Sequence, residues 1–306
     1  MPTTIEDPRI TVVIASRNRR ADLEATLTRH HAPVVYVDNA STDDSVDVVR
    51  ELRPDARVVR LRRNAGAYAR TIGVRRARTE FVAFADDDSW WAPGALEAAA
   101  ATLDRHPTLA LLAARMIVGT EQHLDPMCAE MAASPLRRTG DMPGVPVLGF
   151  AACGAAVRRE AFLEAGGFDP VVRFPGEEER LALDLAAAGR YLCYVDDVVV
   201  HHHPSPVRHS PEARVRAITR ARVLTAAMRL PWSVFGSRVR EAWHSGRPQR
   251  GGLADAARAL PAALRARQVT TSDVLADLEL LERPAPRPST PAPVDPVARA
   301  PETARR

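Results

Sequence analysis

EFVAFADDDSWWAPGAL (80–96) places an apolar run of strand length directly before three consecutive acids, with a Pro-Gly pair and an alanine-rich stretch behind them. Phe81 to Ala85 reads as a buried strand, and PGALEAAAATLDRH (93–106) as a helix with Pro in its first turn. Upstream the same alternation recurs. ITVVIA (10–15), VVYVD (34–38) and ARVVRL (56–61) have the β-branched content of strands. Between them lie helical patterns over 19–29, DDSVDVVREL (43–52) and AYARTIGVRRA (67–77). Short apolar strands alternating with helices predict an α/β fold, its sheet mixed but mostly parallel and covered on both faces. Such sheets bind ligands beyond the carboxyl ends of their strands, so the places to inspect follow Ala15, Val37 and Ala85.

Downstream, LALLAARMIV (109–118) reads as a further strand and 119–147 as an irregular loop over the sheet. A short helix over 158–165 ends at Gly166-Gly167. GEEERLALDLAAA (176–188) forms a helix closed by Gly189, and YLCYVDDVVVHHH (191–203) is strand-like. Residues 211–282 are helical and Arg-rich. From Pro284 the chain is Pro/Ala/Arg-rich with almost no bulky apolar residue, so 284–306 is expected to be disordered. The expected division is a catalytic domain over 8–206, a helical extension over 207–283 and that tail.

Composition narrows the function classes. Hydrophobic residues make up 46% and charged residues 26%, as in an ordinary globular protein, and no run approaches the roughly 20 apolar residues of a membrane span. The acidic start MPTTIEDPRI lacks the apolar core of a secretory signal. Cys128, Cys153 and Cys193 are odd in number and without metal-site spacing, which suits buried thiols in a reducing cytoplasm. The net charge of +4 is spread along the chain with no aromatic-basic reading motif, which argues against a nucleic-acid partner. No Lys occurs, and Asn occurs only as Asn18, Asn39 and Asn64. Under a composition so biased, each Asn is expected where nothing else serves.

Four segments carry candidate chemistry. Asp86 and Asp88, spaced D-x-D at a strand end, can share a divalent cation and leave positions open for a diphosphate; the plain alternative is an acidic turn capping the next helix. In VVYVDNASTDDS (34–45), Asp38 can accept from a base N–H or a ribose hydroxyl, while Asn39 and its neighbours build a capping turn. VVIASRNRR (12–20) offers Ala15, Ser16 and Arg17 as a pocket edge, or a solvated loop. RNAGAYARTIG (63–73) offers Gly66 backbone or Arg70 to a phosphate.

Together, in this order and spacing, the four segments resemble the nucleotide-binding half of the inverting glycosyltransferases of family 2, over roughly residues 8–205. All three Asn residues fall inside them. The resemblance implies the GT-A nucleotide-diphospho-sugar transferase fold with a helical C-terminal extension. It places Asp38 at the base, Ala15, Ser16, Arg17 and Asn39 around the nucleoside, and Asp86 and Asp87 on the ribose or metal side. It puts Gly66 and Arg70 at the diphosphate and Asp88 on a divalent cation, Mn2+ or Mg2+. Thr71 departs from the Asn common in the family there. RREAFLEAGGFDP (158–170) and FPGEEERLALDLAAAGR (174–190) resemble the acceptor-side segment and the helix that opens with the catalytic base. That position holds Glu178, with Glu177 and Glu179 as rivals, because inversion requires a base for the acceptor hydroxyl. The family also places a metal-completing His after the last strand. His201 matches it best, His203 is second, and His202 is expected to point elsewhere.

The expected activity is therefore metal-dependent, inverting transfer of a sugar from a nucleoside diphosphate to an acceptor hydroxyl in glycan or cell-envelope biosynthesis. A UDP- or dTDP-sugar is favoured by Asp38, although guanine also offers a ring N–H. The acceptor is a glycan, a lipid-linked sugar or a small molecule. The expected place is the cytoplasm, with peripheral membrane contact through the C-terminal helices as the alternative to their packing on their own domain. The rivals are a nucleotidyltransferase, against which the absence of any Lys counts, and a non-catalytic nucleotide-sugar or glycan-binding relative.

Overall fold

The computed structural model describes residues 5–138, 140–206 and 210–283. The tail 284–306 lies outside the described residues, as do 207–209 at the expected domain boundary. The strands are β1 Ile10–Ser16, β2 Val34–Asp38, β3 Arg57–Arg60, β4 Phe81–Ala85, β5 Ser89–Trp91, β6 Leu109–Val118, β7 His123–Leu124, β8 Val145–Pro146, β9 Ala155–Arg158 and β10 Tyr191–His202. The helices are α1 Arg20–Thr26, α2 Ser45–Leu52, α3 Tyr68–Arg76, α4 Ala95–Arg105, α5 Pro126–Ala132, α6 Arg159–Glu164, α7 Glu178–Ala187, α8 Pro211–Arg229, α9 Trp232–Ser245, α10 Arg247–Arg265 and α11 Ser272–Glu282.

One sheet runs β3-β2-β1-β4-β9-β6-β10-β5. The first four strands are mutually parallel, with Ser16 opposite Asp38 and Ile14 opposite Ala85. The three strand ends singled out in the sequence therefore lie side by side at one rim. Alternation along each strand feeds two cores. Val13, Val35, Val37, Val82 and Phe84 pack on one face with Phe162, Phe168 and Leu181. Ile10, Val12, Ile14, Val34, Tyr36 and Phe81 pack on the other with Leu96 and Leu103. Burial on both faces is what near-continuous apolar strands require.

Helix α3 lies unusually close to the sheet because it carries Gly73, where a Cβ would collide with Val13 Cγ1. That approach brings Arg70, one turn earlier, to the sheet rim.

Several elements differ from expectation. β9 runs antiparallel between β4 and β6, where the sequence suggested only the following helix. β5 was hidden in SWW, and the expected loop over 119–147 contains β7, α5 and β8. Pro93 and Gly94 stand ahead of α4 rather than inside it, with Gly94 at φ +76° as the cap. α7 begins at Glu178, because Gly176 (φ +102°) is in a conformation that helices exclude.

The C-terminal helices pack against α7. Leu183 joins Ala226, Leu230 and Val274 in one apolar cluster. Arg229 pairs with Asp184, and Arg238 Nη2 reaches Glu179 Oε1 at 2.6 Å. A Cβ on Gly176 would lie 2.9 Å from Ala221 Cβ, so α8 rides directly over the turn that leads into α7.

Candidate active site

Asp38 closes β2 and is 1% exposed. Its Oδ1 accepts the Ser41 N–H at 3.1 Å, and Arg60 Nε stands 3.7 Å from Oδ2. The loops around it are held by the three Asn side chains. Asn18, at φ +54°, accepts the Thr42 N–H at 2.8 Å. Asn39 accepts from Ala65 N at 2.7 Å and donates to the Gly66 carbonyl at 3.1 Å, and Asn64 accepts from Gly66 N. Asn39 is thus a tie between two rim loops. Ser16 Oγ pairs with Tyr36 Oη at 3.0 Å, and Arg17 Nε donates to the Ala40 carbonyl. Ala15 is partly buried on the adjoining strand.

The acid triplet follows β4, and its three members go three ways. Asp86 has its N–H donated to Ser89 Oγ and its carboxylate on the Arg70 guanidinium. Asp87 is pushed up to about 8 by burial and by the flanking charges of Asp86 and Asp88, with Arg19 Nε at 3.6 Å as the opposing cation. Asp88 Oδ2 accepts the Ser205 N–H at 2.8 Å, and His202 Nε2 stands 3.4 Å from Oδ1.

Arg70 was expected at the diphosphate. It is 5% exposed and its guanidinium is spent on carboxylates instead, Asp86 on one side and Glu177 Oε1 at 3.1 Å on the other. Both acids hold it firmly protonated despite its burial. It joins Asp86, after β4, to Glu177, just ahead of α7. Glu177 is fully buried with Oε2 unpartnered, and burial raises its pKa. Glu178 is only partly enclosed; burial raises its pKa too, opposed by Arg70 and by the Ala152 backbone N–H. Glu179 is turned away onto Arg238. Cys153 is buried and lies near enough to Asp86, Asp88, Arg70 and Glu178 to feel their charges, so the segment around it adjoins the same group of side chains. That segment carries no sequence signal beyond its run of small residues.

Alternation along β10 holds as expected, but the face is opposite. His201 stacks on Trp90 with ring centroids 5.3 Å apart, and His203 lies 4.7 Å from the same ring. His202 is the imidazole that faces Asp88. The cause is β5. Its pairing sets Trp90 opposite His201 and Ser89 opposite His202, and cross-strand partners share a face. Among the described residues, no three His, Cys, Asp or Glu side chains alone gather closely enough to hold a cation. The available donor set is one carboxylate, Asp88, and one imidazole, His202, with Asp86 alongside. This fits a cation that takes its remaining ligands from a diphosphate and water.

The profile described as Glycosyl transferase family 2 matches residues 11–166. A β-1,3-glucosyltransferase from Escherichia coli, named as UDP-Glc:alpha-D-GlcNAc-diphosphoundecaprenol beta-1,3-glucosyltransferase WfaP, is 26% identical over 91 residues, 27% of this chain and 36% of that protein. The putative teichuronic acid biosynthesis glycosyltransferase TuaG of Bacillus subtilis is 34% identical over 100 residues, 29% of this chain and 40% of that protein. The matches thus span well under half of either relative. Among solved structures, S. aureus TarS 1-349 superposes with a TM-score of 0.55 at 17% identity, covering 84% of this chain and 81% of that one. The mannosyltransferase PcManGT of Pyrobaculum calidifontis, solved with GDP-Man and Mn2+, gives 0.54 at 23%, covering 90% and 80%. These likenesses establish the fold as GT-A-like. With its rim of acids after β2 and β4 and its profile match over half the sequence, the chain belongs to glycosyl transferase family 2.

Proposed function

We propose that the chain catalyses inverting transfer of a sugar from a nucleoside-diphosphate sugar to an acceptor hydroxyl, with a divalent cation at the donor. The observation that carries this is the Arg70 bridge, which joins Asp86 at the end of β4 to Glu177, the neighbour of Glu178 at the start of α7. Asp38, with Ala15, Ser16 and Arg17 on the adjoining strand end, would receive the nucleoside, and its buried carboxylate suits a pyrimidine ring N–H. Asp88 and His202, with Asp86, would hold Mn2+ or Mg2+, which supplies positive charge to a departing diphosphate.

Glu178 would take the acceptor proton. It is the acid of α7 that reaches the cleft without being committed to an arginine, whereas Glu177 is buried against Arg70 and Glu179 is paired with Arg238. A carboxylate with a raised pKa is a better base than an ordinary one. Arg70 would position Asp86 rather than contact the diphosphate.

The matched relatives, one named for a diphosphoundecaprenol acceptor, support a lipid-linked or glycan acceptor in cell-envelope synthesis. Residues 8–206 would form the catalytic domain and 207–283 the extension. No described helix is long and apolar enough to cross a membrane. α9 nevertheless exposes Trp232 (56%) and Trp243 (60%), eleven residues apart and so on one helical face, which suits peripheral contact with an anionic surface at the cytoplasmic side. Thermal shifts with a panel of nucleoside diphosphates, with and without manganese, test the donor assignment. UDP or dTDP with metal should raise the Tm of the wild type and not of Asp38→Ala. Equal shifts in both proteins would overturn it.

A further inference from the structure

A second polar cavity, of about 350 Å³, lies beside the cleft, between the turn ahead of α7 and the helices α8 and α10. It is lined by Arg173, Phe174, Ala217, Arg220 and Asp255. Its walls are fixed by close packing. α8 and α10 meet at Gly252, where a Cβ would lie 2.5 Å from the Arg216 carbonyl oxygen, and Arg220 Nη2 donates to the Val171 carbonyl at 2.8 Å. The cavity shares Phe174 with the catalytic side, since the Arg70 guanidinium sits 5.9 Å from that ring. Only three residues separate Phe174 from Glu178.

The charge in this cavity is unbalanced. Asp255 is its single acid, and it is already taken by Arg216, at 2.6 and 2.8 Å, and by Arg258 at 2.8 Å. Neither Arg173 nor Arg220 has a carboxylate partner among the described residues. Burial, and after it the charge of Arg173, lower the pKa of the half-buried Arg220, and Asp255 only partly offsets them. Two guanidinium side chains that line one pocket, Arg173 exposed and Arg220 half-buried, beside an acid already paired with other arginines, suit an anion, and the guanidinium fork matches phosphoryl oxygens.

We propose that this cavity binds a phosphoryl or diphosphoryl group carried by the acceptor, which seats the acceptor hydroxyl at Glu178. The site rests on the glycosyl-transfer reading above and adds the chemical class of the acceptor. The test is calorimetric titration of the full chain, with the donor site saturated by UDP, using farnesyl diphosphate, farnesol and inorganic phosphate as probes. Farnesyl diphosphate should bind the wild type, and Arg173→Ala with Arg220→Ala should weaken it roughly tenfold or more for two lost charge-assisted contacts. Because Arg220 also supports Val171, Arg173→Ala with Arg220→Gln, which keeps a donor there, should show the same loss. UDP affinity should stay within about twofold in both variants, since neither arginine touches the donor acids.

Unchanged farnesyl diphosphate binding in the variants overturns the site, as does binding of farnesol equal to that of farnesyl diphosphate. Inorganic phosphate binding as tightly as farnesyl diphosphate would mark a free-anion site and overturn the acceptor assignment. Loss of UDP binding in the variants would move the arginines to the donor and overturn it as well. Failure of the wild type to bind UDP at all would instead strike the donor reading.

Discussion

Glu177 and Glu178 are adjacent in sequence, yet their surroundings assign them different work. Glu177 is a buried partner of Arg70, so Glu177→Gln leaves a buried guanidinium with one counter-charge fewer. A loss of about 3 kcal/mol or more in unfolding free energy is expected from breaking such a pair, and urea titration measures it. Glu178→Gln should leave stability within about 0.5 kcal/mol and cut transfer by a factor on the order of 100 or more, with UDP affinity unchanged. If the two phenotypes come out exchanged, Glu177 is the base. At the proposed metal site, His202→Ala should raise the manganese concentration needed for half-maximal transfer by roughly 10-fold or more, whereas His201→Ala should not. Equal effects would show that the stacking on Trp90 does not hold His201 away.

At the scale of elements, α3 fits closely on β1. Gly73→Ala drives a methyl into Val13, and its overpacking should cost about 1–3 kcal/mol and lower transfer by displacing Arg70. A variant with wild-type denaturation and kinetics would refute that coupling. The same scale shows how far the sequence could be read. The parallel strands were legible because each is a β-branched run of strand length flanked by helical spacing. β9 was not, because Ala155, Ala156 and Val157 are small residues that a helix accepts equally well, and its direction is set by neighbours distant in sequence. β5 was masked by the acids before it, and missing it put the imidazoles on the wrong face. The strand-end acids were legible by position. Which of them pair with Arg70 was not, because that depends on how near α3 can approach. All three Asn side chains, so scarce in the sequence, bond loop backbone near the rim.

For the molecule as a whole, His30 gives stability a built-in pH dependence. It is fully buried with both ring nitrogens unpartnered, and burial holds its pKa down to about 3. Between that value and the ordinary 6.5, the unfolded chain binds a proton that the folded one refuses. Stability from this group is therefore present above pH 6.5 and lost as pH falls, by up to about 1.4 kcal/mol per unit. Urea unfolding at pH 7.5 and 5.5 should differ less for His30→Leu than for the wild type by roughly that amount. An identical pH difference in the two proteins would show that His30 becomes solvated.

The connection leaving β10 is stapled to Asp88. The Ser205 N–H bonds the Asp88 carboxylate, the His203 N–H bonds the Asp88 carbonyl, and Ser205 Oγ donates to Asp22. The same few residues lead from the sheet towards the terminal helices, so a displacement of those helices would reach the proposed cation-binding carboxylate along the chain as well as through their packing on α7. A chain whose far end is grasped by a surface or a companion protein should therefore feel it first as a change in how tightly it grips nucleotide, an effect that UDP titration with and without anionic vesicles would register.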